Sequence, residues 1–109
     1  MLKIEIIGKY KNNRSYIQTI VCNDTKMNDT HIWQAKRCYQ NIIDKLENNK
    51  LKSIIMNFKK DDSYIATNMP FDIDNLLKSV KEGDSVDIKA KSMIELFNMF
   101  LDNNISIEC

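Results

Sequence analysis

Few side chains in this 109-residue sequence could carry acid–base, covalent or metal chemistry. His31 is the sole histidine, so any imidazole-based proton transfer would depend on it. Cys38 follows it by seven residues in a segment with helical spacing, which separates the two by about 10 Å at ~1.5 Å per residue. Because zinc ligands lie about 2.0–2.3 Å from the ion, this pair cannot share a zinc. We therefore interpret His31 as a surface or capping residue and Cys38 as a packing residue.

The cysteines and glycines are too few for other common sites. Cys22, Cys38 and Cys109 are odd in number and contain no CxxC pair, which is typical of a reducing compartment rather than a disulfide framework. The two glycines, Gly8 and Gly83, cannot form a dinucleotide fingerprint or a phosphate loop. The sequence has neither a secretory signal pattern nor an apolar run long enough for a membrane span. We expect a cytoplasmic protein without cofactor or metal.

Paired carboxylates could act as general acid and base, but only in two different environments around a cleft. The candidate pairs are Asp61 with Asp62, Asp72 with Asp74, and Asp84 with Asp87. All of them fall in predicted turns and helix caps, where aspartate is favoured for backbone reasons. We therefore expect no catalytic residues and no enzymatic activity.

Basic and aromatic side chains form the most suggestive binding pattern. Such residues can hold a nucleic-acid strand by neutralising phosphates and stacking on bases. Tyr16 and Tyr64 occupy equivalent positions in two predicted hairpins, and Trp33 lies off the apolar stripe of a predicted helix. The candidate binding surface comprises Lys9, Lys11, Arg14, Lys59, Lys60, Trp33, Lys36, Arg37, Tyr16 and Tyr64. The net charge of +1 argues against a dedicated nucleic-acid binder.

The small net charge conceals an asymmetry along the chain. Residues 1–60 contain twelve Lys and Arg against five Asp and Glu, whereas residues 61–109 contain four against ten. Such a division predicts partner surfaces of opposite sign, unless the two sets mix on the folded surface.

Apolar periodicity predicts a mixture of strands and helices. Alternation indicates strands, and spacing of three and four residues indicates helices. In the first half of the chain, the predicted elements are strands at 2–9 and 15–22 and a helix that is capped at 28–30 and ended by left-handed Asn at 48–49. The second half begins with strands within 51–69 and a short helix from Asp72 to Gly83. A strand at 86–90, a helix opened by a capping box at 92–95 and a closing strand at 105–107 follow.

The first hairpin returns later in the sequence. Residues 6–19 recur as 54–67 at an offset of 48, with Ile, Ile, Lys, Ser, Tyr, Ile and Thr repeated in place. The recurrence predicts a duplicated structural unit, hairpins at about 2–22 and 51–69, although the abundance of Ile and Lys could also produce it. The fold class is therefore α+β in one domain, 1–109: two ββα units followed by a βαβ segment, forming a mainly antiparallel sheet covered by helices.

These observations favour a function that requires no catalysis. We expect a non-enzymatic protein-binding module of bacterial or phage type, such as an inhibitor or immunity-like factor acting on a nucleic-acid-handling protein. One alternative is nucleic-acid binding through the basic hairpin tips, and another is a small enzyme with an unrecognised carboxylate or tyrosine site. The apolar helix at 93–101 indicates burial between the sheet and the closing strand or, as the alternative, an interface with a partner or with a second copy of the chain.

Overall fold

The computed structural model of the chain describes residues 1–48, 50–71, 73–83 and 86–102. Its elements are β1 (Leu2–Tyr10), β2 (Ser15–Cys22), α1 (Asp29–Glu47), β3 (Leu51–Lys60), β4 (Ser63–Pro70), α2 (Ile73–Lys81) and α3 (Val86–Asp102). The strands form one antiparallel sheet in the order β2–β1–β3–β4. The predicted α+β class is confirmed. No helix within the described ranges has the length and apolarity needed to cross a membrane.

The helices cover one face of the sheet because alternate strand residues are apolar. In β1, Leu2, Ile4 and Ile6 are buried on that face. Ile4 pairs with Ile20 of β2 on one side and with Phe58 of β3 on the other. The alternation in the sequence therefore produces a continuous apolar layer beneath the helices.

Helix α1 begins with a capping box. The Asn28 side chain accepts a hydrogen bond from the Thr30 N–H at 3.0 Å, and His31 Nδ1 accepts one from the Asn28 N–H at 2.9 Å. The capping role predicted for His31 is confirmed, but a surface position is wrong because its side chain is buried. The left-handed ending is wrong at Asn48, whose φ is −85°. Asn49 lies outside the described residues.

Residues 86–102 form one helix, α3, in place of the strand and the shorter helix predicted there. Residues 86–90 are helical rather than extended, and Ser92 to Glu95 lie inside the helix instead of capping it. Ala90, Ile94 and Phe97 are buried at helical spacing, so the alternation at 86–90 belongs to a longer helical pattern. The Phe97 ring packs on Phe58, with the ring centroids 4.9 Å apart.

The remaining predictions concern the segments around α2 and α3. Gly83 has φ of 87°, the left-handed conformation expected after a helix. Asp72 and the predicted closing strand at 105–107 lie outside the described residues. The elements follow the predicted order β1–β2–α1 and β3–β4–α2 along the chain, but α3 replaces the start of the predicted βαβ segment.

The sheet register relates the two copies of the sequence repeat. Ile7 pairs with Ile55, which is its own counterpart at the offset of 48. Ile6 pairs with Met56, which is the counterpart of Gly8. Gly8 pairs with Ile54, which is the counterpart of Ile6. This register is the one that a local two-fold axis through the Ile7–Ile55 pair would require. Duplication of the hairpin stays a prediction.

Gly8 creates the space for an aromatic ring in the first hairpin. It pairs with Tyr16 across β1 and β2, and a Cβ on Gly8 would overlap the Tyr16 ring. The Tyr16 ring in turn packs on Tyr10, with centroids 5.4 Å apart. The absence of a side chain at position 8 thus allows two tyrosine rings to pack against each other beside the hairpin turn.

We expect Gly8→Ala to lower the free energy of unfolding by about 1–3 kcal/mol, because the added methyl group overpacks the Tyr16 ring. In a Tyr16→Ala background the cost should disappear, since Ala is favoured over Gly in strands by roughly 0.5–1 kcal/mol. Urea unfolding of the four proteins measures the coupling. An equal cost in both backgrounds would contradict the ring contact.

Tyr39 gives the fold an alkaline pH dependence. Its ring packs on Phe71, and burial raises the pKa of Tyr39 to about 12. The unfolded chain loses this proton near 10.0, so stability should fall between pH 10.0 and about 12, by roughly 1.4 kcal/mol per unit. Urea unfolding across this range should show a smaller fall for Tyr39→Phe. Tyr64→Phe, which removes the hydroxyl of an exposed ring, is the control, and identical profiles for wild type and Tyr39→Phe would refute the assignment.

Candidate functional site

The structure does not bring the sequence-predicted binding residues together. Strands β1 and β3 are antiparallel, so the turn after β1 and the turn after β3 lie at opposite ends of the sheet. The nine residues of β1 span roughly 30 Å at about 3.3 Å per residue. Lys11 and Arg14 are therefore remote from Lys59 and Lys60, and one strand of nucleic acid would have to cross the whole sheet to contact both tips.

The two tyrosines that repeat in the sequence also occupy different environments. Tyr16 faces α1, where the Lys45 ammonium lies 5.1 Å from its ring centroid, and burial raises its pKa. Tyr64 lies on the opposite face of the sheet, where Lys59 is 4.8 Å from its ring centroid. Register shifts between β3 and β4 cause the difference, because they change the face on which Tyr64 emerges. The predicted equivalence of these positions is wrong.

The candidate residues on α1 form a third, separate group. The Arg37 guanidinium carbon lies 5.4 Å from the ring centroid of Trp33, which is exposed. Lys36 instead forms an ion pair with Asp87 of α3 at 2.7 Å. The Lys26–Asp102 pair, also at 2.7 Å, likewise joins the basic half of the sequence to the acidic half. Mixing of the two charge sets thus offsets part of the asymmetry.

The face of the sheet opposite the helices, here called the open face, presents a row of isoleucines. Ile7 in β1 pairs with Ile17 in β2 and with Ile55 in β3, so the three side chains form one line across the sheet. Ile17 is 64% exposed, and the other two are half-buried. Val21, also on this face, is 38% exposed. An aliphatic row of this kind can bury further area against a partner.

Polar residues on the open face are held in fixed positions beside this row. The Asn57 side chain donates to Glu5 Oε1 at 3.4 Å and accepts a hydrogen bond from the Asn68 N–H at 2.8 Å. Asn57 is buried, and Asn68 has a positive φ of 52°. Strands β1, β3 and β4 are thereby tied together on the side that none of the described helices covers.

Lysines give the open face a positive charge. Lys3 lies directly opposite Lys59 in the β1–β3 register, and Lys9 lies at the other end of β1. Like charges placed opposite each other on a sheet are destabilising. Glu5 is the acidic residue of β1 on this face. The open face therefore combines an aliphatic centre with lysines towards both ends.

A second basic region lies on the helix side, between the first hairpin turn and the end of α1. Lys11 and Arg14 from the turn, with Lys45 of α1 and Lys50 of the following loop, line a groove of about 640 Å³. Lys11 and Arg14 belong to the predicted binding surface, whereas Lys45 and Lys50 do not. Lys11 and Arg14 therefore lie beside Lys45 and Lys50, and not beside Lys59 and Lys60 of the predicted binding surface.

The potential nucleophiles and ligands are dispersed. Cys22 and Cys38 are buried as free thiols, and burial raises the pKa of Cys38. The packing role predicted for Cys38 is confirmed. Among the described residues, no group of three or more His, Cys, Asp or Glu side chains is placed to bind a metal.

Sequence reasoning missed the isoleucine row, although a signal for it exists. Consecutive isoleucines at 6–7 and 54–55 must point to opposite faces of a strand, so one of each pair leaves the core. The pairing of β1 with β3, which aligns Ile7 with Ile55, is not encoded by either strand alone. Comparison with protein-family models, curated proteins and solved structures finds no match to this chain.

Proposed function

We propose that this chain is a non-enzymatic protein-binding module of bacterial or phage type, and that it binds its partner through the open face of the sheet. The observation that carries the proposal is the isoleucine row, Ile17, Ile7 and Ile55, which no described helix covers. Lysines flank it in the pattern of a protein interface, with an apolar centre inside a polar rim.

The charge of the open face supports a partner of complementary chemistry. Lys3 and Lys59 repel each other across β1 and β3, and carboxylates of a partner would relieve that repulsion. We propose a protein partner that presents an apolar patch with acidic residues around it. A second copy of this chain fits less well, because two open faces would bring lysines together with few glutamates to pair them.

Helix α3 supports self-association less than its composition predicts. Met93, Ile94, Phe97 and Phe100 are buried within the monomer, where they complete the core. Met99 remains 48% exposed. Self-association through residues 93–101 stays a prediction, but most of the apolar side chains behind it already have partners in the fold.

We propose that the binding serves an inhibitory or immunity-like role. In that role the open face would cover an acidic, partly apolar surface of the partner. The acidic half of the sequence offers a weaker alternative, because Asp87 and Asp102 pair with Lys36 and Lys26. A nucleic-acid-handling protein as the target stays a prediction.

Substitution of Ile17 tests the proposed interface. Ile17→Asp should abolish retention of a partner from a lysate of the source organism, because it places a carboxylate at the most exposed position of the apolar row. With the identified partner purified, its Kd should rise more than tenfold, which corresponds to about 1.4 kcal/mol. Ile17→Val, which keeps a β-branched aliphatic side chain, should leave the Kd within about threefold.

Gln40→Asp is the matched control, since it adds the same carboxylate to the exposed surface of α1. Thermal unfolding confirms that each variant is folded. Retention of the same partner by Ile17→Asp, or loss of binding by Gln40→Asp instead, would refute the open face as the interface. Failure of the wild-type protein to bind any protein specifically would refute the proposed function itself.

A further inference from the structure

We infer that the groove between the first hairpin turn and the end of α1 binds the phosphate groups of a nucleotide, supplied either as a free nucleotide or within a nucleic-acid strand. The groove, called here the basic groove, is lined by Tyr10, Lys11, Arg14, Asp44, Lys45 and Lys50, together with two asparagines. It lies on the helix side of the sheet, so this inference does not depend on the open face.

The charges in the basic groove exceed what the fold itself requires. The C-terminus of α1 carries roughly half a negative charge, which Lys45 and Lys50 can offset. Arg14 comes from the hairpin and adds a further cation to the same groove, which Lys11 and Asp44 also line. Among the described residues, no carboxylate lies within ion-pair distance of Arg14, Lys45 or Lys50. An anion bound there would reduce the mutual repulsion of these cations.

Backbone hydrogen bonds fix the walls of the basic groove. The Lys11 N–H donates to the Lys50 carbonyl at 2.9 Å, and the Lys50 N–H donates to the Lys45 carbonyl at 3.1 Å. Within the turn, the Tyr10 N–H donates to the Arg14 carbonyl at 2.8 Å. The hairpin and the end of α1 are thus joined directly, so the backbone segments that carry the cations are already in place before any ligand binds.

The position of Lys45 is fixed further by the paired tyrosines. Its ammonium lies 5.9 Å from the ring centroid of Tyr10 and 5.1 Å from that of Tyr16. The Tyr16 ring occupies this place because Gly8 has no side chain. The restricted lysine loses less entropy on binding an anion than a free surface lysine would.

The size and donor set of the groove favour phosphate over a single carboxylate. A volume of about 640 Å³ is that of a site for a small molecule such as a nucleotide. Several cations around one groove match a di- or triphosphate, and the Arg14 guanidinium can donate two parallel hydrogen bonds to phosphate oxygens. Tyr10 adds an aromatic ring beside these cations.

Backbone amide NMR of the isotope-labelled protein tests the inference at about 50 mM salt and again at about 200 mM. The probes are ATP, inorganic pyrophosphate, a single-stranded thymidine oligonucleotide and a glutamate-rich peptide. We expect the phosphate probes to shift the amide signals of Lys11, Arg14, Lys45 and Lys50, with weaker binding at the higher salt. A stronger response to ATP indicates the free nucleotide, and a stronger response to the oligonucleotide indicates the strand.

Matched charge variants distinguish binding in the groove from general electrostatic attraction to the protein surface. Arg14→Gln and Lys50→Gln should each raise the Kd about tenfold, equivalent to about 1.4 kcal/mol. Lys91→Gln removes the same charge from the exposed side of α3 and should leave the Kd unchanged. The inference is overturned if no phosphate probe shifts the groove signals, if the peptide binds as well as ATP, or if Lys91→Gln weakens binding as much as Arg14→Gln.

Discussion

The antiparallel pairing of β1 with β3 determines both the core and the open face of the sheet. It aligns Ile7 with Ile55 at the centre of the sheet and places Ile6 and Ile54 on the face that the helices cover. The same pairing makes β2 and β4 the outer strands and sends the two hairpin turns to opposite ends. Because side chains alternate along a strand, each double isoleucine contributes to both faces at once. The core and the open face are therefore consequences of one register.

The two hairpins share their strands and differ in what surrounds their turns. Beside the first turn, Gly8 admits the Tyr16 ring, and Lys45 of the basic groove lies over the paired tyrosines. Beside the second, bulges between β3 and β4 turn Tyr64 to the open face, where it lies under Lys59. A repeated framework thus supports two different surfaces. Residues shared by both copies build the sheet and the isoleucine row of its open face, whereas residues that differ give the two turns different neighbours.

Local sequence patterns predicted the hairpins and α1 because each has a strong signal of its own. Strand alternation and the Asn28 cap are local, and the predicted elements there agree with the structure. The strand predicted at 86–90 is wrong because five alternating residues fit a helix equally well once Phe97 and Phe100 extend the pattern. The candidate site was predicted only in part, since grouping Lys11 and Arg14 with Lys45 and Lys50 requires tertiary contacts. Separation of the two basic turns likewise follows from strand pairing, which no single segment specifies.

The sheet has one face covered by the helices and one face that no described helix covers. Methyl NMR of isoleucine-labelled protein with a soluble paramagnetic probe measures this difference, because broadening reports how closely the probe approaches each methyl group. We expect strong broadening for Ile17, intermediate broadening for Ile7 and Ile55, and little for Ile4, Ile6 and Ile20. Protection of Ile17, Ile7 and Ile55 equal to that of Ile4 would contradict it, since the open face would then be covered in the isolated protein.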